Sequence, residues 1–225
     1  LSHFKCHELT GFGGAIKNLA MGCSSRSGKL EQHSTVGPKI SAKKCTTCGA
    51  CIKACAHDAI DLSSGKAALN TERCVGCGRC ITVCEPQAIQ IQWNEESRLV
   101  MKKMAEYSLG AISGKSQKLL FINFITQVSP ACDCHGHTDA PIVPDIGILA
   151  STDPVALDQA CADMVNQARG LPDTAMKTGH EAGCDKFRGV YPKIDWEVQL
   201  EHGEKVGLGE RAYEVVVLEP VGEKW

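Results

Sequence analysis

Cysteine occurs in two runs of identical spacing, Cys45, Cys48, Cys51 and Cys55, then Cys74, Cys77, Cys80 and Cys84, each member displaced by 29 residues. Thiolate sulfur is a soft ligand, and a Cys-x2-Cys-x2-Cys loop brings three sulfurs round one point. A cube-shaped [4Fe-4S] cluster needs four, so each run calls for one more sulfur from elsewhere. Paired disulfides or two zinc sites would use the same residue type. Neither accounts for a further cysteine three residues after the triplet, twice over. The chemistry indicated is the binding of two [4Fe-4S] clusters and transfer of single electrons. The repeat extends past the sulfurs, with Gly49 matching Gly78, Ile52 matching Ile81, and Ala59-Ile60 matching Ala88-Ile89. Two half-modules related by a pseudo-twofold are therefore expected.

The runs resemble those of bacterial two-cluster ferredoxins, in which the last cysteine of each run ligates the other cluster. That resemblance implies one cluster on Cys45, Cys48, Cys51 and Cys84, and a second on Cys74, Cys77, Cys80 and Cys55. Those ferredoxins usually carry proline after the last cysteine. This chain has Ala56 and Glu85 there, with Pro86 one residue late.

A second constellation lies outside the runs. His3, Lys5 and His7 alternate, so on a strand all three side chains project to one face, as a reactive set or as a solvated polar face. The loop Pro130-Ala-Cys132-Asp-Cys134-His135-Gly-His137 packs two thiols and two imidazoles together, a set suited to zinc or iron. It lacks the two-residue gap of common zinc knuckles, so further ligands would come from distant positions such as His3, His7 or His33. The glycines of Thr10-Gly-Phe-Gly-Gly-Ala-Ile-Lys17-Asn18 precede a short helix ending near Gly22, whose first amides could cradle an anion or simply form a tight turn. The segment matches neither the P-loop nor the dinucleotide glycine pattern. Cys6, Cys23, Cys161 and Cys184 read as small buried hydrophobes.

The elements that must hold these residues follow from periodicity. Residues 41–93 read as a compact module with short helices after Gly49 and Gly78 and strands at Ala59 to Leu62, Lys66 to Asn70 and Ala88 to Gln92. Roughly fifty residues bury little apolar area, so cluster binding is expected to stabilise this unit. Glu95 to Ile112 reads as an amphipathic helix with Leu99, Met104, Tyr107 and Ile112 on its apolar face. Lys118 to Thr126 suits a buried strand, Asp145 to Ala150 another, and Tyr213 to Glu219 a last one. Asp153-Pro154 starts a helix reaching Ala168, and a further helix is expected near Trp196. The fold class expected is an α/β domain, residues 1–40 and 94–225, interrupted by a small α+β ferredoxin-like two-cluster module.

The chain has 225 residues, 43% of them hydrophobic, and a formal net charge of −2. That composition supports a globular core, and its scattered basic residues disfavour nucleic acid and anionic membranes as partners. No apolar run reaches the length of a membrane span. Cluster ligands must stay thiolates, which points to a reducing, oxygen-poor cytoplasm. The chain opens without Met or a signal-peptide pattern, which suggests a processed or N-terminally truncated form.

Ser2-His3-Phe4-Lys5, Gly11 to Asn18, Gly28-Lys29, the double cysteine motif, Cys132-Asp-Cys134, Asp145-Ile-Gly147 and Asp153-Pro-Val-Ala-Leu-Asp158 together resemble the iron-sulfur centre proteins built on domain of unknown function 362. Members often carry Gly in place of Cys6, and no reaction is attached to the family name. The function expected is low-potential single-electron transfer through two [4Fe-4S] clusters, to a redox partner protein or to a site in the α/β domain. One alternative is an oxidoreductase acting on a small anionic substrate with His3, Lys5, His7, Lys17, Cys132 and Cys134, with Asp145 and Asp153 as further candidates and an additional metal ion on Cys132, Cys134, His135 and His137. It requires the Cys132 to His137 loop to lie close to the His3 to His7 strand. A third reading is an iron-sulfur sensor or assembly factor.

Overall fold

The computed structural model describes residues 1–34, 37–115 and 118–218. Its largest sheet has three strands in the order β1 (Ser2–His3), β8 (Phe121–Ile125), β9 (Gly147–Ser151). β1 runs parallel to β8, and β9 antiparallel to it. In β8 Phe121, Asn123 and Ile125 are buried while the residues between them are half-buried, the period-2 signature of a strand packed harder on one face. Helix α6 (Pro154–Gln167) covers that sheet, and α1 (Ala15–Cys23) lies between α6 and α5 (Ser97–Ile112), which also packs on α8 (Glu197–Lys205).

The opening strand divides at Phe4. Its amide still bonds to Phe124 O in β8, but β2 (Lys5–His7) leaves the sheet and pairs antiparallel with β3 (Gly11–Gly13). Phe4 and Phe12 of this hairpin meet Phe187 of α7 (Lys186–Val190) and Trp196, with ring centroids 5.0 to 6.1 Å apart. This aromatic cluster anchors the segment that carries His3, Lys5 and His7, burying apolar rings in offset and edge contacts.

The glycine turn before α1 does not offer its amides to an anion. Ala15 N and Ile16 N donate to Oδ1 and Oδ2 of Asp158 on α6, at 2.7 and 2.9 Å, and Asn123 Nδ2 donates to Oδ1 at 2.7 Å. A fully buried carboxylate of the same chain therefore caps α1 and satisfies orphan donors at its N-terminus. Gly14 is required for this approach, since a Cβ there would lie 2.3 Å from Asp158 Oδ1.

Residues 39–90 form a separate pattern of short elements. β4 (Lys39–Ile40) pairs with β7 (Ile89–Gln90), and β5 (Ile60–Asp61) with β6 (Ala68–Leu69), both antiparallel. β4 and β6 are equivalent under the 29-residue offset, as are β5 and β7, so each half lends a strand to the other. β4 lies ahead of the boundary expected at residue 41. The offset itself would have located it, by subtraction from Lys66 to Asn70.

Three expectations need correction. The apolar run after Tyr213 makes no strand, because Val216, Val217 and Leu218 stand more than 70% exposed without a pairing partner among the described residues; Glu219 lies outside them. Leu99 of α5 is exposed, and the face that packs is Val100, Met101, Met104, Ala105 and Ser108. Cys23 and Cys184 are exposed, whereas Cys6 and Cys161 are buried as expected. No helix among the described residues is long and apolar enough to cross a membrane.

Candidate functional site

The eight repeated cysteines gather round two short helices, α3 (Ala50–Ala54) and α4 (Arg79–Thr82), each entered through a left-handed glycine, Gly49 (φ 74°) and Gly78 (φ 69°). The same left-handed turns recur at Thr47 and Gly76 and at Asp58 and Gln87, so the backbone repeats as the sequence does. Two concavities of matching size result. One, about 360 Å³ with its open mouth included, is lined by Cys45, Cys48 and Cys51 of the first run with Cys84 of the second. The other, about 350 Å³ with its mouth likewise included, is lined by Cys74, Cys77 and Cys80 with Cys55.

Backbone amides are aimed at these sulfurs. Ala59 N donates to Cys55 Sγ at 3.4 Å, and its repeat counterpart Ala88 N donates to Cys84 Sγ at 3.2 Å. The amides of Ala67 and Thr47 pull the Cys45 thiol below its usual range. Burial, then the sulfurs of Cys74 and Cys77, pushes Cys80 up to about 11. Thiols crowded enough to oppose one another's ionisation favour a cation among them, which displaces their protons. Four sulfurs to each concavity is also the donor number of a [4Fe-4S] cube, so the residues present fit that group.

The other constellation assembles from chain segments far apart. Asp133 accepts from His3 Nδ1 at 3.0 Å and pairs with Lys5 Nζ at 3.3 Å, while His3 Nε2 reaches Thr126 O at 2.9 Å. Against partial burial, which raises it, Lys5 and then His3 hold the Asp133 carboxyl below the usual carboxylate range. His7 lies next in line, and one of its ring nitrogens and the sulfurs of Cys132 and Cys134 all fall within 4.8 Å of one another. Burial first, then the Lys17 ammonium, pushes the His7 pKa down to about 3, leaving the ring neutral. Lys17 Nζ donates to Cys132 Sγ at 3.4 Å, and Cys134 N donates to the same sulfur at 3.5 Å.

His3, Lys5, His7, Lys17, Cys132 and Cys134 are thus one neighbourhood, with the loop resting on the strand. His135 turns away from the thiols to Glu8 Oε1 at 3.1 Å, with the His137 ring 5.2 Å from its own. Neither joins the close donor group, and His7 takes the place expected for them. Asp145 and Asp153 are occupied elsewhere: Asp145 Oδ1 accepts the Gln127 amide at 2.7 Å, and Asp153 caps α6 through the amides of Val155 and Ala156.

An open cavity of about 1630 Å³, mouth included, extends from His7, Cys134 and His135 past Lys17 to Gly78, Ile81 and Thr82 beside the second cysteine run. Its wall includes Arg26, Lys29 and His33, with Trp93, Leu30 and Ile91 as apolar surface. The sequence marks His33 only as a distant metal ligand and Lys29 only through the family resemblance, and does not single out Arg26, although the three stand at i, i+3 and i+7 of α2 (Arg26–His33) and so share a helical face. Asp133 also went unassigned. Its position between two cysteines was the only signal that it mattered.

These features define a cysteine-rich protein of mixed helix and strand content in which His7, Cys132 and Cys134 lie close enough together to hold a metal ion. Residues 1–163 match the family model described as Domain of unknown function (DUF362), and the chain belongs to that family. No curated protein and no solved structure matches it.

Proposed function

We propose that the chain is an iron-sulfur electron carrier, with one [4Fe-4S] cluster on Cys45, Cys48, Cys51 and Cys84 and another on Cys74, Cys77, Cys80 and Cys55. The observation that carries this reading is the sorting of eight cysteines into two concavities, each lined by three from one run and the last of the other. When bound, such clusters exchange single electrons at potentials spanning roughly −700 to +450 mV, set largely by charge, exposure and hydrogen bonds to sulfur. The chain's own contribution is to fix those conditions. The amides of Ala59 and Ala88 stabilise negative charge on Cys55 and Cys84, which favours thiolate as ligand. The electrons pass to a redox partner protein or to the α/β part of the same chain.

The test is anaerobic purification with iron and sulfide analysis, followed by EPR of the reduced protein. About eight irons and eight sulfides per chain are expected. Cys84→Ala should abolish the same EPR signal as Cys45→Ala, although the two lie in different runs. Two zinc ions and no sulfide would sink the reading.

A second reading, an oxidoreductase acting on a small anionic molecule, is favoured by the cavity that joins Cys134 and His7 to the Gly78 turn, with Lys17, Arg26 and Lys29 on its wall. Its cationic side chains and apolar floor suit an organic anion.

A further inference from the structure

Cys132 and Cys134 belong to neither run, yet they are held as carefully as the repeated cysteines. Cys132 is 2% exposed and His7 4%, while Cys134 faces solvent at the cavity wall. The three donors meet from two places, a hairpin strand pinned by the aromatic cluster and a loop clamped by Asp133 to His3 and Lys5. Tyr191 holds the same loop from the other side, its hydroxyl donating to Pro130 O at 2.8 Å. We propose that His7, Cys132 and Cys134 bind one divalent ion of borderline softness, of the zinc, cobalt and nickel class, in a three-ligand centre whose fourth position opens on the cavity.

The donor set suits the ion. Two thiolates and one imidazole neutralise a divalent charge, and a Cys2His set with one exchangeable position is an arrangement that zinc adopts in catalytic sites, where structural sites close with four protein ligands. Among the described residues no fourth donor enters the group. His135 is turned to Glu8, and His33 bonds its own helix at Lys29 O while stacking edge-on against Trp93. The open position therefore faces the basic wall, where Lys17 and Arg26 would receive an anionic ligand of the metal.

The surroundings of His7 supply an independent observation. Its Nδ1 accepts the Leu9 amide at 3.1 Å, which leaves Nε2 as the ring's free position. Glu8 Oε2 lies 3.8 Å from Nδ1 and is a buried carboxylate oxygen without a hydrogen-bond partner. A metal on Nε2 would require the ring proton on Nδ1, where Glu8 Oε2, 3.8 Å away, is the acceptor at hand and would replace the Leu9 amide as partner. That pairing would be a carboxylate-histidine-metal relay of the kind that orients the ring and raises its basicity in metal centres. Burial, then the neighbouring Cys132, keeps the Cys134 thiol protonated up to about 11 in the absence of an ion, and a coordinated cation removes that proton outright.

The experiment uses the full chain, purified anaerobically with its iron intact. Zinc, cobalt and nickel are counted beside iron, and Co(II) is then titrated in while thiolate-to-cobalt charge-transfer absorption is followed. One ion per chain, or one equivalent of Co(II) giving that absorption, is expected in the wild type. Cys134→Ala should lose it with iron content unchanged; the side chain is exposed, so its removal leaves the core intact. His33→Ala should keep it. A wild-type chain that holds no such ion and develops no cobalt-thiolate absorption overturns the proposal, as does a Cys134→Ala chain that binds the ion fully. Because iron is counted separately, failure here leaves the two-cluster reading standing, and the converse also holds.

Discussion

Asp158 is pulled in two directions by its place in the core. Burial pushes its pKa up to about 6, against the amides of Ile16 and Ala15 and the side chain of Asn123, which draw it down. In the unfolded chain an aspartate titrates near about 3.9. The folded pKa is the higher one, so the folded state holds the proton more tightly. The associated stability is present in full below about pH 4, is lost as the pH rises through about 6, and changes no further above that. A shift of this size corresponds to no more than about 3 kcal/mol. Urea unfolding between pH 4 and pH 7 should show the decline in the wild type and not in Asp158→Asn, which cannot titrate there. Acid release of the proposed clusters would affect both chains alike, so the difference between them carries the result, and parallel curves would refute the assignment. Asp158→Asn should also be less stable at every pH, by about 1 to 3 kcal/mol, because its amide turns one donor toward the helix amides. Nothing in the sequence announces this role. The helix holding Asp158 is legible from its Asp-Pro start, but its partner amides lie 143 residues away at Ala15.

Helices and strands were legible where burial imposes a period and illegible where it does not. α5, α6 and β8 carry one packed face each, and their boundaries fall within a few residues of those expected. The run Tyr213 to Leu218 has the β-branched composition of a strand, yet strand preference largely reports packing against neighbours. This segment is held by Tyr213, whose hydroxyl donates to Asp163 Oδ2 at 2.8 Å, while Val216, Val217 and Leu218 stand exposed with no pairing strand among the described residues. The division of the opening strand at Phe4 was equally hidden, since alternation continues across it while the pairing partner changes. The paired glycines of α1 and α5 separate local preference from tertiary demand. Gly110 sits inside α5 with nothing within 4 Å of an added Cβ, so Gly110→Ala should raise stability by about 0.5 to 1 kcal/mol through helix preference alone. Gly14→Ala would press a methyl against Asp158 Oδ1 at 2.3 Å and Phe4 Cδ2 at 2.9 Å, and should cost about 1 to 3 kcal/mol. Thermal unfolding of the two variants against wild type reads both signs, and a stabilised Gly14→Ala chain would contradict the capping arrangement.

Among the described residues the molecule builds two apolar cores of very unequal size. The larger joins Phe4, Phe12, Met104, Ile125, Val155, Phe187 and Leu200 with many others. The second consists of Cys51, Ile60, Ala67, Cys80 and Ile89, and two of these five are proposed cluster ligands. Its strands are two residues long and its helices four or five, too short to persist by themselves. Apolar burial of that extent leaves a unit of this size marginal, and on the proposed reading the two clusters would supply the stability that the core lacks. The grouping of the eight cysteines was legible in their spacing; the crossed strands become legible only once the same 29-residue offset is applied to β4. Removing iron anaerobically with a chelator should therefore raise amide hydrogen exchange across residues 39–90 while β8 and α6 stay protected. The release should spread to α2, because Ser27 Oγ donates to Val75 O at 2.8 Å and this contact joins the two parts. Mass-resolved exchange on peptides from both regions, before and after chelation, measures the contrast. Protection in residues 39–90 that survives complete loss of iron would mean that the polypeptide alone holds the fold there, and the crossed cysteine sets would then be a consequence of packing rather than its cause.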